Sequence, residues 1–220
     1  MSLNIEQARF NMIEQQVRTW NVLDQAVLGV MRSVPREDFV PSRYRRMAFA
    51  DLRLPLAMQQ VMMKPVEEGR MLQALSLKPG QSVLEIGTGT GFTAACLATL
   101  GGRVLSVEIH SELADTAAAR LERLGIADVE VRCGDVLGET FDPGRFFDRI
   151  VVTGSAAEVP ERLLEWIAPG GRLFAVRGHS PAMEAICLHR KGEGKWISES
   201  LFETDLPRLV GAEDRPVFEF

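Results

Sequence analysis

Residues 85 to 92 read Glu85-Ile86-Gly87-Thr88-Gly89-Thr90-Gly91-Phe92, an apolar run that closes on three alternating glycines. Glycine has no Cβ, so a turn built this way bends sharply and lets the backbone lie directly against a ligand. Phosphate-bearing nucleotides are the first ligands to weigh against it. A P-loop ends in Gly-Lys-Ser/Thr, whereas Gly91 is followed by Phe92-Thr93 with no lysine, which argues against NTP hydrolysis. A dinucleotide fingerprint needs Gly-x-Gly-x-x-Gly, and its third glycine would fall on Phe92, which disfavours a diphosphate.

The reading that remains is S-adenosyl-L-methionine, a nucleoside cofactor without phosphate, bound by a glycine turn beside acidic residues. Glu108 closes the run Arg103 to Ile109, where a carboxylate can accept both ribose hydroxyls. Asp135, in Cys133-Gly134-Asp135, can take the adenine amino group. Singly, each carboxylate is more often a helix cap or a surface charge, and Asp135 could merely cap a turn. Placed at successive strand ends with the glycine turn, they define one expected cofactor set: Glu85, Gly87, Thr88, Gly89, Gly91, Glu108, Ile109, Asp135, Val136 and Thr153. No metal ligand set is expected.

These residues need elements to carry them. From Gly69 onward, apolar β-type runs alternate with helical stretches. Strands are expected at Ser82 to Gly87, Arg103 to Ile109, Val129 to Gly134, Phe147 to Thr153 and Gly171 to Arg177, with helices at Gly69 to Leu77, Thr90 to Leu100, Ser111 to Leu124 and Pro160 to Ile167. Two further strands, Glu184 to Lys191 and Trp196 to Glu203, lack a helix between them and should pair antiparallel. Such alternation implies an α/β fold, a doubly wound and mostly parallel seven-stranded sheet of Rossmann-like type, whose ligands sit at the carboxyl ends of the strands.

Upstream, residues 4 to 32 show helical periodicity with a break near Asn21, giving two helices. Val34 to Arg70 is punctured by Pro35, Pro41, Pro55 and Pro65 yet rich in apolar side chains, so it reads as a wrapped segment lying over a site. The expected division is 1–68, N-terminal helices and a substrate-side lid, and 69–220, the cofactor-binding α/β domain.

Composition bounds the function. With 46% hydrophobic and 25% charged residues in 220, the chain is an ordinary globular one. Its net charge of −5, with only Arg43, Arg45 and Arg46 locally basic, argues against a nucleic-acid partner. Cys96, Cys133 and Cys187 lie far apart without Cys-x-x-Cys spacing, which fits a reducing compartment and excludes a zinc ribbon. No run approaches the roughly 18 to 20 apolar residues of a membrane helix, so a soluble, cytoplasmic protein, a monomer or weak dimer with no membrane partner, is expected.

Over about Met12 to Leu209 the chain resembles the protein-L-isoaspartate O-methyltransferase family, a branch of the class I methyltransferases. The resemblance rests on Val34-Pro35-Arg36-Glu37-Asp38-Phe39-Val40-Pro41, on Asp51 with Leu54-Pro55-Leu56, on Val83 to Gly91, on Val151-Val152-Thr153 with Glu158-Val159-Pro160, and on Pro169-Gly170-Gly171-Arg172-Leu173. It implies methyl transfer from S-adenosyl-L-methionine to the carboxylate of an isoaspartyl residue, a protein-repair reaction. A carboxylate is already ionised at neutral pH, so no general base is needed. His110, His179 and His189 are accordingly read as surface or strand-end residues.

The chain departs from the family where the acceptor is held. Against Gly-x-Gly-Gln-Thr-Ile-Ser-Gln-Pro it has Ala57-Met58-Gln59-Gln60-Val61-Met62-Met63-Lys64-Pro65, so Met63 stands at the active-site serine and Val61 at the threonine. Against Val-Pro-Leu-Thr it has Leu206-Pro207-Arg208-Leu209. Each lost hydrogen bond to a charged group is worth about 1.5 to 3 kcal/mol. Gln60, Val61, Met62 and Pro65 are expected to shape the substrate side, with Met63 and Lys64 at the catalytic position and Lys64 offering its charge to an anionic group. Core packing of the two methionines is the competing reading. A small apolar acceptor, or cofactor binding without catalysis, are the alternatives to isoaspartyl methylation.

Overall fold

The computed structural model describes residues 4–192 and 194–213. Helix α1 (Ile5–Asn11) is capped by Asn4, whose side chain accepts from the Gln7 amide, and it runs on through a π turn (Met12–Val17) and a 3-10 turn (Arg18–Trp20). The break expected near Asn21 is there, with Asn21 left-handed at φ 61°. Helix α2 (Gln25–Ser33) restarts on Asp24, which accepts from the Ala26 and Val27 amides. A short helix α3 (Arg36–Phe39) follows. A hairpin then pairs β1 (Leu54–Pro55) with β2 (Val61–Met62). Its tip holds Met58 and Gln59 at φ 53° and 57°, in the left-handed region that favours glycine.

Helix α4 spans Pro65–Leu75. Pro at the first helical position carries no amide to leave unpaired, and Glu67 accepts from the Lys64 amide, so the helix starts four residues before the expected Gly69. The division drawn between 68 and 69 therefore falls inside one continuous helix. A Cβ on Gly69 would lie 2.9 Å from Val17 Cγ1, which shows how closely the N-terminal helix packs on α4.

The remaining elements, in chain order, are β3 (Ser82–Ile86), α5 (Phe92–Thr99), β4 (Arg103–Glu108), α6 (Ser111–Arg123), β5 (Val129–Cys133), β6 (Phe147–Ala156), α7 (Glu161–Glu165), β7 (Ile167–His179), β8 (Ala182–Gly192) and β9 (Lys195–Thr204). The sheet order is β5-β4-β3-β6-β7-β8-β9, parallel through β7 and antiparallel from β7 to β9, as expected. One local expectation is corrected: the strand expected from Gly171 begins at Ile167, so Pro169-Gly170-Gly171 lies within β7. Residues 134–146 cross from β5 to β6 through turns without a helix.

Alternate residues of the central strands face opposite layers, as strand periodicity demands. Val83, Val104 and Val151 join Met12, Ile13, Met31, Leu72 and Phe92 in one core, so the N-terminal helices and the sheet share it. Leu84, Leu105, Ile150 and Val152 join Val136, Leu163 and Ile167 in the core on the other face. Covered on both sides, the sheet leaves its strand ends as the open edge.

Candidate cofactor and acceptor cleft

At the carboxyl ends of β3, β4, β5 and β6 lies a cleft of about 920 Å³, partly open to solvent. Its floor is the glycine turn. Gly87 sits at φ 91°, and a Cβ there would lie 2.3 Å from Thr153 Oγ1, so only glycine fits. Thr153 Oγ1 donates to the backbone oxygens of Ile86 (3.0 Å) and Gly87 (2.6 Å), clamping the turn from β6. Gly91 does not line the cleft: a Cβ there would lie 3.3 Å from Ala117 Cβ, so the third glycine serves the packing of α5 on α6.

Glu108, 5% exposed, accepts the Gly89 amide on Oε2 (2.9 Å) and the His110 amide on Oε1 (3.1 Å). Each oxygen keeps a further acceptor site. Asp135 lines the cleft from the end of β5, with Oδ1 accepting the Leu137 amide at 2.9 Å, so it caps a turn and faces the ligand space at once. Thr88, Ile109 and Val136 line the same end.

Glu85 differs from its expected place. Its side chain is fully buried and does not line the cleft. The β3–β4 register puts it beside Ser106, whose hydroxyl donates to Glu85 Oε2 while hydrogen-bonding to Thr88 Oγ1. Burial pushes the Glu85 carboxyl up to about 8, against the pull of the Ser106 hydrogen bond. A folded-state value above the ordinary carboxyl range means that the folded chain binds this proton more tightly than the unfolded one. The stability it contributes is complete below about pH 4.5 and declines as pH rises toward 8. Between pH 6 and 8 the loss should reach about 2 kcal/mol. Urea unfolding at several pH values measures it, and Glu85→Gln should lessen the slope, leaving the part that comes from Glu68, which burial also raises to about 8; an unchanged slope would show that Glu85 carries none of it.

The β1–β2 hairpin and the residues after it contribute a largely apolar wall to the cleft. Gln60, Val61, Met62 and Met63 line it, and the two methionines, each 4% exposed, are both core residues and cleft wall. Lys64 and Pro65 do not line it. Because the helix begins at Pro65, Lys64 becomes its cap, with Nζ 4.0 Å from Asp51 Oδ2, and Pro65 is buried in the first turn. The charge expected from Lys64 is thus directed away from the cleft.

Several cleft residues escaped the sequence reading. His110, read as a surface or strand-end residue, lines the cleft, and its buried Nε2 has no hydrogen-bond partner among the described residues. Glu68 lines it behind Met63 and is ion-paired with Arg36. Arg36 is fully buried: Nε donates to the Ala48 oxygen (2.8 Å), Nη2 to the Met63 oxygen (2.7 Å), and the guanidinium lies over the Phe92 ring at 4.8 Å. Burial pushes the Glu68 carboxyl up and the Arg36 guanidinium pulls it back. Leu56 and Arg208 are among the further lining residues. Spacing held no signal for Leu56 and Glu68, which reach the cleft from separate parts of the chain, whereas His110 stands two residues from Glu108 and Arg208 lies in the Leu206–Leu209 segment compared with the family.

A family model described as protein-L-isoaspartate (D-aspartate) O-methyltransferase matches residues 7–211. A protein-L-isoaspartate O-methyltransferase of Rhodopseudomonas palustris (strain ATCC BAA-98 / CGA009) is 40% identical over 204 residues, covering 92% of this chain and 93% of that one. A protein-L-isoaspartate O-methyltransferase 2 of Pelobacter propionicus is 42% identical over 212 residues, covering 96% and 93%. Among solved structures, one described as a protein-L-isoaspartate O-methyltransferase from Plasmodium falciparum, in complex with S-adenosyl-L-homocysteine, superposes with a TM-score of 0.79 over 94% of this chain and 99% of that one. At 18% identity that likeness speaks for the fold.

Proposed function

Because the chain belongs to the protein-L-isoaspartate O-methyltransferase family, we propose that it uses S-adenosyl-L-methionine to methylate the carboxylate of isoaspartyl residues in proteins, a repair reaction. The observation that carries this reading is the single cleft joining the glycine turn, Glu108 and Asp135 to an apolar acceptor end.

The residues present fit the cofactor. Gly87 leaves room that a Cβ would fill against Thr153, and the buried Nε2 of His110 lacks a partner in the wall beside Glu108. The lining carries three carboxylates, Glu68, Glu108 and Asp135, and among the described residues no lysine, which suits a nucleoside without phosphate. Glu108 would accept the ribose hydroxyls and Asp135 the adenine amino group, with Ile109 and Val136 against the base. When bound, S-adenosyl-L-methionine supplies a methyl group on a sulfonium.

On the acceptor side the chain's task is to orient and desolvate. Val61, Met62 and Met63 exclude water from the carboxylate that enters, and a desolvated anion is the stronger nucleophile. Met63 provides no hydroxyl, and its backbone oxygen is engaged by Arg36, so it acts as wall. Residues 1–68 serve the acceptor side through the β1–β2 hairpin, and 69–220 serve the cofactor, with the segment 207–209 lining the same cleft. A reducing, cytoplasmic setting is supported by the free thiols of Cys96, Cys133 and Cys187, and the net charge of −5 argues against a nucleic-acid partner.

The test is transfer of radiolabelled methyl to an isoaspartyl peptide, with the aspartyl peptide as control and base-labile methanol release as readout. Label on the isoaspartyl peptide alone is expected. Protein that binds S-adenosyl-L-homocysteine yet labels neither would overturn the acceptor assignment and leave the small apolar acceptor suggested by Leu56, Val61 and the two methionines.

A further inference from the structure

Among the described residues lining the cleft, three side chains are carboxylates and one, Arg208, is a permanent cation. Glu108 and Asp135 stand at the ends of β4 and β5, on one side of β3 in the sheet order. Arg208 stands on the other side, against β6, where Ser155 and Arg208 are parallel bridge partners. The cation thus enters the cleft from the β6 side, apart from Glu108 and Asp135 in the sheet order.

The backbone around Arg208 is fixed. The Ser155 amide donates to the Pro207 oxygen (2.9 Å), and the Leu209 amide donates to the Ser155 oxygen (2.8 Å), so both neighbours of Arg208 are tied to β6. A Cβ on Gly154 would lie 2.9 Å from Leu209 Cδ2, which shows how closely the segment is seated. Arg208 Nη1 donates to Ser155 Oγ at 3.3 Å, and Nη2 lies 3.5 Å from His179 Nδ1.

We propose that Arg208 is the specificity-determining residue that holds the acceptor carboxylate. The inference rests on the acceptor assignment above and adds how this chain recognises it. Val61, Met63 and Leu209 stand where the family resemblance places hydroxyls, so an anion entering this end meets apolar groups that cannot replace its water. A guanidinium is a permanent, weakly hydrated cation whose N–H groups can donate to a single carboxylate oxygen, which suits a half-apolar wall. Holding one carboxylate oxygen leaves the other to react.

The experiment compares the wild type with Arg208→Gln and Arg208→Lys, each checked for an unchanged melting temperature. Three quantities are measured: calorimetric binding of S-adenosyl-L-homocysteine and of methylthioadenosine, which lacks the carboxylate; binding of an isoaspartyl peptide to the homocysteine-loaded protein; and methylation of that peptide. Arg208→Gln should weaken peptide binding and raise KM about tenfold to a hundredfold, with both nucleosides bound as before and Arg208→Lys between the two. A peptide bound and methylated equally well by Arg208→Gln overturns the proposal and leaves the methyltransferase reading intact. Weaker S-adenosyl-L-homocysteine binding with methylthioadenosine unaffected also overturns it, placing Arg208 on the cofactor's own carboxylate. A wild type that binds the peptide without methylating it defeats the acceptor reading alone, and the binding ratio then decides on Arg208. A wild type that does not bind the peptide overturns both.

Discussion

Arg36→Ala is expected to cost the folded protein about 3 to 5 kcal/mol. The guanidinium is fully buried and satisfies the Ala48 oxygen, the Met63 oxygen and the Glu68 carboxylate at once, while lying over Phe92. Its removal leaves two buried carbonyls without a donor, each worth about 1 to 3 kcal/mol, and opens space against an aromatic ring. Glu68 escapes a bare buried charge by taking up a proton, which limits the loss. Since a domain holds only about 5 to 15 kcal/mol of stability, the variant should approach the threshold of folding. Urea denaturation at neutral pH measures this, and Glu68→Leu supplies the second arm. The double variant Arg36→Met with Glu68→Leu should lose less than the two single losses combined, because a pair replaced by apolar groups leaves no orphan behind. A cost under about 1 kcal/mol for Arg36→Ala would show that the pair does not hold the acceptor segment to the sheet. The consequence for function is local: Arg36 is the contact through which α3, the Met63 backbone and the first residue of α5 share one anchor.

Glu108→Ala should weaken S-adenosyl-L-homocysteine binding about a hundredfold or more and also lower the melting temperature, because the Gly89 and His110 amides lose their acceptor. Two hydrogen bonds to a carboxylate disappear, at about 1.5 to 3 kcal/mol each, and the turn loses its tie as well, since the same carboxylate accepts the Gly89 and His110 amides. Glu108→Gln keeps one oxygen acceptor but sets an amide N–H₂ against a backbone donor, so it should fall between the wild type and alanine. Isothermal calorimetry reads both. A change under about threefold, less than half of one hydrogen bond, would remove Glu108 from the ligand contact and with it the assignment of this end of the cleft.

The glycine turn, Glu108 and Asp135 were legible because backbone chemistry and strand ends are local. A Gly-x-Gly-x-Gly run after an apolar strand can do little else, and a carboxylate at a strand end faces the open edge of a doubly wound sheet wherever the rest of the chain goes. Glu85 was misplaced for an equally local reason. It lies one residue inside β3, on the face shared with Ser106 in the β3–β4 register, and strand periodicity carried it beneath the turn instead of into the cleft. Lys64 and Pro65 were misplaced because the helix starts at the proline, and capping geometry, more than sequence neighbourhood to Met63, fixed where Lys64 points.

By itself, then, the sequence determined the seven strands, the parallel winding, the break at Asn21 and the meeting of the glycine turn with Glu108 and Asp135 at one cleft, because each depends on periodicity or on the stereochemistry of a few adjacent residues. Only the tertiary structure decided the acceptor end. Arg36, Glu68 and Arg208 come from segments far apart in the chain: Arg36 of α3 pairs with Glu68 of α4 beneath the cleft, and Glu68 and Arg208 both reach its lining. Charge pairing and carboxylate recognition act over a few ångströms in space whatever the separation in sequence, so no spacing along the chain could have announced them.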